Sequence, residues 1–490
     1  MSTYLMDPVD AAWYHIDGPA NLAMVTAVML TKQPLDFDKV REIYRLRLAG
    51  FDRFRQRVIE TGFPLATPHW KDMPNFDIDQ HLHRIALPAP HDMAALKVLF
   101  TDIASMPLDR EQPLWHVHFV ENVCGGSAVI MRYHHCIGDG TAMQAVVRKL
   151  FDTTPDAPLT GPPGDGEAAA AASQPASFLF GFGSLERTAR RALSLAFEAV
   201  ADPQRALQKL DLVFTGASVL LSELVKPADP QSPFKGDFGL RKHVAWSTPV
   251  AIADVKAIGA PLDAKVNDVL VAAMTGALRA YLKGRGIDVN HTTVRAMVPV
   301  DLRPPERVGL LGNDFGLVLL DLPVASAKAA DRLTQTKARM DRLKRSPEPV
   351  AMKFLFELFG SGPKAIEDLA TSIFGSKASL VMTNVVGPKD TVYLAGVPID
   401  QIMFWVPHPG KELGVGISIL SYRGMASLAV IADAGLVPDP EAITDEFNRE
   451  FRRMQRAAQR AAAAAAAVAP PRPRGTTRTP RRRKPERPAH

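Results

Sequence analysis

The sequence predicts an α+β or α/β protein built as two halves of similar size joined by a long crossover. Strand-like and helix-like periodicities alternate from Leu22 to Tyr133, and again from Asn267 to Ala432. Two stretches rich in Pro and small or polar residues, Thr153 to Ser177 and Lys226 to Lys235, interrupt the composition between them. The chain has 490 residues, too many for one ordinary core. We therefore expect an N-terminal half over 1–152, a linker and helical crossover over 153–235, a C-terminal half over 236–460 and a tail over 461–490.

Leu22 to Leu30 (LAMVTAVML) is an apolar run of strand length, and Phe37 to Leu48 carries helical spacing. Trp115 to Val120 alternates with period two: Trp115, Val117 and Phe119 share one face, His116 and His118 the other. Ala128 to Tyr133 is a second strand that runs into His134. In the crossover, Leu185 to Val225 sets apolar against basic residues at helical spacing. That suits a helix covering a sheet, and also one lying on lipid. Asn267 to Leu282 reads as a buried helix. Thr293–Pro299, Gly316–Leu322, Ala378–Val386, Val415–Leu420 and Ser427–Ala432 read as strands. Asp439-Pro440 then opens a helix whose apolar face is Ile443, Phe447, Phe451 and Met454.

Lys and Arg number 58 against 52 Asp and Glu. Residues 470–490 hold eight basic residues and one acid, so the body is close to neutral and a nucleic-acid-binding body is not implied. Six prolines in that same stretch predict disorder there. Its arginines suit anionic lipid, nonspecific nucleic acid or plain solvation. Two cysteines, Cys124 and Cys136, exclude a disulfide framework and suit a reducing compartment. No run of 18 apolar residues occurs, and the first residues do not form a secretory signal. The location expected is cytoplasmic, with peripheral attachment to a membrane or lipid droplet.

Chemistry concentrates at Tyr133 to Thr141, YHHCIGDGT. A strand ends in two histidines, and Asp139-Gly140 closes a tight turn. Neighbouring side chains on an extended strand point to opposite faces, so one histidine can face a cavity while the other packs inward. A histidine, with an ordinary pKa of about 6.5, is the natural general base near neutral pH.

The pattern HHxxxDG at a strand end resembles the signature of the CoA-dependent acyltransferase superfamily. Further motifs narrow the resemblance to the bacterial wax ester synthase/acyl-CoA:diacylglycerol acyltransferase family. They are MDPVDAAWYHIDGPAN (6–21), PLDREQPLWHVHFVE (107–121), HHCIGDG (134–140), NDVLVAAMTGALRAYL (267–282), RAMVPVDLRP (295–304), LGNDFG (311–316), TNVVGP (383–388) and ADAGLVPDP (432–440). The likeness covers roughly Met6 to Pro440. It implies two chloramphenicol-acetyltransferase-like sandwich domains with the active site between them. It also implies transfer of a fatty acyl group from acyl-CoA to a long-chain alcohol or diacylglycerol, with no cofactor and no metal.

By the same resemblance, His135 is the general base, supported by His134 and Asp139. Asn267 contacts the oxyanion or the attacking hydroxyl, or else only caps its helix; both readings stay open. Asp268 reads first as structural and is kept with the substrate-side candidates. Those are Gly140, the Pro113-Leu114-Trp115 motif near an acyl channel, and Asp17 close to the active centre.

Other signals carry less. Cys136 beside His135 suggests a thiol nucleophile, but sequence adjacency gives poor nucleophile–base geometry. His116, His118, His134 and His135 lack metal-site spacing. Asp237-Phe238-Gly239 and Asp314-Phe315-Gly316 lack the other kinase motifs. Two rivals remain. One is a same-fold enzyme using an acyl carrier protein or a polyketide or glycolipid alcohol. The other is a noncatalytic lipid-surface protein, against which the intact HHxxxDG argues.

Overall fold

The computed structural model describes residues 3–60, 67–159, 229–230, 232–304, 307–346, 348–350, 352–353, 375–407 and 412–468. The amphipathic segment Leu185 to Val225, most of the linker and the basic tail lie outside the described residues.

A five-stranded sheet organises the first half, in the order Gln401–Trp405, Met24–Thr31, Gly126–His134, Trp115–Val123, Leu82–Ala86. Gly126–His134 is buried along its whole length, which is why Ala128–Met131 is an uninterrupted apolar stretch. Its neighbour Trp115–Val123 has Trp115, Val117 and Phe119 in the core, while His116 is only half-buried. Met24–Thr31 pairs antiparallel with Gly126–His134, with Val25 opposite Tyr133.

The edge strand is the unforeseen part. Gln401–Trp405 comes from the C-terminal part of the chain and pairs antiparallel with Met24–Thr31, Met403 opposite Val28. It covers an edge that would otherwise present unpaired backbone groups. Trp405 anchors it: the indole is buried and its Nε1 donates to the Val430 carbonyl at 3.1 Å.

The second sheet runs Phe315–Leu322, Val294–Asp301, Leu380–Val386, Val415–Tyr422, Met425–Asp433, Lys242–Trp246. One core lies between this sheet and the helices Val266–Gly284 and Pro440–Val468, where Ile443, Phe447, Phe451 and Met454 are all buried. Another joins the two halves: it combines Val25 and Met131 with Phe315, Leu317 and Val381. The chemistry sits in this seam.

Local departures have local causes. The helix starting at Phe37 ends at Ile43 and continues as one wide π turn over Tyr44–Leu48. The long central helix begins at Val266, not at Asn267. Lys265 is its N-cap, and the Asp268 carboxylate accepts the Lys265 backbone N–H at 2.8 Å. The capping alternative for Asn267 is therefore corrected: it sits inside the first turn, and the side chain satisfying a backbone N–H at that end is Asp268.

Candidate active site

His134 is the last residue of its strand and His135 opens the 3-10 turn His135–Ile137. The alternation of the strand separates them. His134 is buried: its backbone N–H donates to the Leu114 carbonyl at 2.9 Å, and its Nδ1 accepts from the Cys136 N–H at 3.2 Å. Its Nε2 lies 3.8 Å from the Asp17 carboxylate. Burial lowers the His134 pKa to about 4.

His135 instead lines a cavity of about 590 Å³ between the halves, within the range of roughly 300–1,000 Å³ common for ligand sites. The walls follow strand periodicity. Val25, Ala27 and Met29 face it from one sheet, and Val381, Thr383 and Val385 from the other. The lining is mostly apolar. Its polar groups include Asp139, Thr141, Asp301 and Thr383, with Arg148 and Lys389 among the charged ones.

The His135 ring is fixed on two sides. Trp13, on the helix Pro8–Ile16, stacks on it with ring centroids 4.0 Å apart and planes 14° from parallel. Its Nδ1 is 2.9 Å from the Asn313 Oδ1. The Asn313 amide is oriented by its other end: Nδ2 donates to the His135 carbonyl and to the Asp10 carboxylate, each at 2.8 Å. With Oδ1 so placed, Nδ1 of His135 must carry the hydrogen, and Nε2 keeps its lone pair. Burial lowers the His135 pKa to about 4, opposed by the nearby Asp139 charge and by the bond to Asn313.

Asp139 does not touch the ring. It caps the helix Gly140–Leu150, accepting the Ala142 N–H at 2.9 Å. Its other oxygen accepts from the Arg303 guanidinium and from the Asp314 backbone N–H, both at 2.8 Å. Arg303 and Asp314 belong to the other half. The HHxxxDG loop and the LGNDFG loop also bind through backbone: Gly312 N donates to the Ile137 carbonyl at 3.0 Å, and Asp139 N to the Gly312 carbonyl at 3.3 Å. Gly312 has φ +105, a conformation that L side chains rarely adopt.

The candidates thus separate. His135, Asp139 and Gly140 line the cavity, with His134 and Asp17 behind them. Asp17 is tied to the Ala23 N–H at 2.8 Å and to Arg110 at 3.0 Å, a scaffold position. Pro113, Leu114 and Trp115 are buried and do not line the cavity; Leu114 and Trp115 belong to the core that joins the halves. The Trp115 indole donates to the Phe54 carbonyl at 2.9 Å and stacks on His81. The motif lies beside the cavity and not on its wall: Trp115 pairs with the lining residue Tyr133, and the Leu114 carbonyl accepts the His134 backbone N–H at 2.9 Å.

Asn267 is likewise not at the cavity. Its Oδ1 accepts from Asn384, which alternates away from the lining residues Thr383 and Val385. Asp268 is fully buried in its capping role. Sequence reasoning missed Asp10, Trp13, Asp301, Arg303 and Asn313 as individual residues. All lie in quoted motifs, but nothing local to them says which partner across the seam they meet.

Burial holds Cys136 largely as a neutral thiol, well above its ordinary pKa, which disfavours a thiolate nucleophile there. His83 Nε2 and His116 Nδ1 are 2.8 Å apart, and burial lowers His116 to about 4 and His118 to about 3.

A histidine at the seam of two α/β halves, beside an apolar cavity, characterises this fold. Solved structures share this fold. A wax ester synthase/diacylglycerol acyltransferase from Marinobacter aquaeolei VT8 aligns at TM-score 0.65 and 20% identity, covering 93% of this chain and 100% of that one. The first condensation domain of the calcium-dependent antibiotic synthetase aligns at TM-score 0.56 and 16% identity, covering 96% and 99%.

Residues 6–270 match the wax ester synthase/diacylglycerol acyltransferase catalytic domain, and residues 311–455 match the C-terminal domain of the same family. The chain belongs to this family and is an O-acyltransferase. Relatives include a putative diacylglycerol O-acyltransferase of Mycobacterium tuberculosis strain CDC 1551, 28% identical over 80% of this chain and 78% of the relative. A probable diacylglycerol O-acyltransferase of strain H37Rv is 27% identical over 86% and 89%.

Proposed function

We propose that the protein esterifies a long-chain alcohol or diacylglycerol with a fatty acyl group from acyl-CoA, with His135 as general base. The observation that carries this is the 2.9 Å contact between His135 Nδ1 and Asn313 Oδ1, with the Asn313 Nδ2 turned to Asp10: an amide oxygen at Nδ1 calls for the hydrogen there and leaves Nε2 as the proton acceptor. An alcohol is too weak an acid to ionise beforehand, so Nε2 takes the hydroxyl proton as the oxygen attacks the thioester carbonyl. The tetrahedral intermediate then expels CoA thiolate, which takes the proton from the imidazolium. Atoms and charges balance within the two substrates and one ring, so the scheme requires no cofactor and no acyl-enzyme.

At neutral pH the ring is neutral and ready to accept, and the imidazolium exists only while thiolate is leaving. Asp139 and Asn313 both favour that transient cation. Trp13 covers one ring face and helps exclude water, which would otherwise compete as acceptor. Thr383 presents a neutral hydroxyl donor along the same cavity for the oxyanion, whereas the Thr141 hydroxyl already donates to Asp301 at 3.1 Å.

The test is release of free CoA from palmitoyl-CoA, read with a thiol reagent, for wild type and His135→Ala with hexadecanol or dipalmitoylglycerol. Acceptor-dependent release lost in the variant supports the reading. Equal release by the variant removes His135 as base. No release with either acceptor from folded wild type removes the wax and triacylglycerol reading.

We further propose that the enzyme works at a membrane or lipid-droplet surface, because its substrates and product are insoluble in water. No helix among the described residues is long and apolar enough to cross a membrane, so attachment would be peripheral. Flotation with phosphatidylserine-containing vesicles tests this; wild type staying with the soluble fraction would overturn it.

A further inference from the structure

We infer that Asp10 is a positioning residue for acyl transfer: it holds the Asn313 amide in the one orientation that keeps His135 as its Nδ1–H tautomer. The inference rests on the proposed role of His135 as base.

An asparagine amide has two ends of similar shape and opposite hydrogen-bonding sense. Which end faces the His135 ring decides which ring nitrogen is basic. The Asn313 amide nitrogen meets two acceptors, the His135 carbonyl and Asp10 Oδ1, each at 2.8 Å. The same Asp10 oxygen accepts the Asn313 backbone N–H at 2.9 Å. An ionised carboxylate only accepts hydrogen bonds. A flipped amide would set its oxygen against both acceptors and leave two buried groups unpaired, each costing about 1–3 kcal/mol. It would also present N–H to Nδ1, moving the ring hydrogen to Nε2 and removing the basic lone pair from that nitrogen.

Asp10 is built for one state of this contact. It is fully buried on the helix Pro8–Ile16, and its second oxygen lies 3.7 Å from the Arg53 guanidinium. The titratable groups around it are Arg53, Asp7 and the Cys136 thiol. Burial pushes Asp10 up to about 7, against the pull of Arg53 and Asn313, so it changes charge within the working pH range. Only the ionised form is purely an acceptor toward Asn313. Asp10 and Asn313 lie in different halves, so correct docking of the halves and correct protonation of the base depend on the same bond.

The experiment combines ring nitrogen NMR with kinetics. Protein labelled with ¹⁵N-histidine is compared with His135→Ala to assign the His135 signals. In wild type at pH 8 we expect protonated Nδ1 and unprotonated Nε2. Asp10→Ala is expected to convert His135 partly or wholly to the Nε2–H form. It should lower kcat by about 10²-fold, less than the roughly 10⁴-fold cost of a wrong tautomer in a protease triad because the His135 carbonyl still holds Asn313. KM for palmitoyl-CoA should stay within about twofold, as expected when only transition-state stabilisation is lost. Asp10→Asn keeps an oxygen for both Asn313 donors. It should recover most of kcat, and a step in kcat near pH 7, expected in wild type from Asp10, should be missing from its profile.

Three results overturn the inference: Nε2–H His135 in wild type, an unchanged tautomer in folded Asp10→Ala, or Asp10→Asn as inactive as Asp10→Ala. If Asp10→Ala does not fold, the wild-type spectrum and Asp10→Asn decide. The NMR readout is independent of turnover. An expected tautomer in a protein whose His135→Ala variant stays active would sink the base reading and leave the positioning of the ring standing.

Discussion

The buried pair between Asp139 and Arg303 is the clearest place to ask what holds the two halves in register. Arg303 is almost fully buried and spends its guanidinium on three acceptors: Asp139 and the Gly312 carbonyl at 2.8 Å, and the Leu310 carbonyl at 2.6 Å. Replacing it by Leu preserves bulk but leaves the Asp139 carboxylate buried, with two backbone N–H partners and no counter-charge. Removing one member of a buried pair typically costs about 3–5 kcal/mol. We expect Arg303→Leu to lower the melting temperature, followed by tryptophan fluorescence, by at least roughly 5 °C. CoA release should fall further than melting alone explains, because the lost contacts position the loop that carries His135. Adding Asp139→Asn removes the stranded charge, so the double variant should melt above Arg303→Leu. A melting temperature of Arg303→Leu within about a degree of wild type would refute the reasoning. So would a double variant whose losses simply add.

Three further outcomes follow from the same geometry. His116, His134 and His135 are lowered to about 4 and His118 to about 3, so between their folded values and about 6.5 the unfolded chain binds more protons. Each ring then costs about 2 kcal/mol on going from pH 7 to pH 5, while Asp10 and Asp301, raised to about 7 and 6, each return about 1–2 kcal/mol. The rings win, so the melting temperature should fall from pH 7 to pH 5; a flat or rising profile would contradict the burial of these rings. Trp115→Ala should cost about 3–5 kcal/mol of stability with KM for acyl-CoA unchanged; a changed chain-length preference would instead put Trp115 at the channel. Ala27→Phe projects a ring into the cavity and should shift activity toward shorter acyl chains, at about 0.8 kcal/mol per methylene no longer accommodated, read as relative kcat/KM across C8- to C16-CoA.

Sequence periodicity located the elements that form the seam, because burial imposes it locally. Gly126–His134 and Val294–Asp301 carry apolar stretches, Ala128–Met131 and Ala296–Val298, since both of their faces are covered there. The same signal separated His134 from His135. It did not separate strand Gln401–Trp405 from its surroundings: five residues with no alternation say nothing about a partner strand several hundred residues away. Asn267 failed for a related reason. Its position at the start of a helix suggested a donor aimed at the substrate, but which way the first turn faces depends on how the helix packs. Here the side chain turns to Asn384, behind the cavity wall.

What the sequence withheld is also what makes the centre work. His135, the proposed base, and Asp139, the cap of the helix Gly140–Leu150, come from one loop; the amide that contacts the His135 ring and the guanidinium that pairs with Asp139, Asn313 and Arg303, come from another. Each side alone is an ordinary turn. Asn313 without its acceptors has no preferred orientation, and Asp139 without Arg303 is a helix cap carrying an unpaired charge. On the proposed reading, the basic Nε2 is therefore a property of the docked pair of halves. Its formation can be measured by the same assays that report docking.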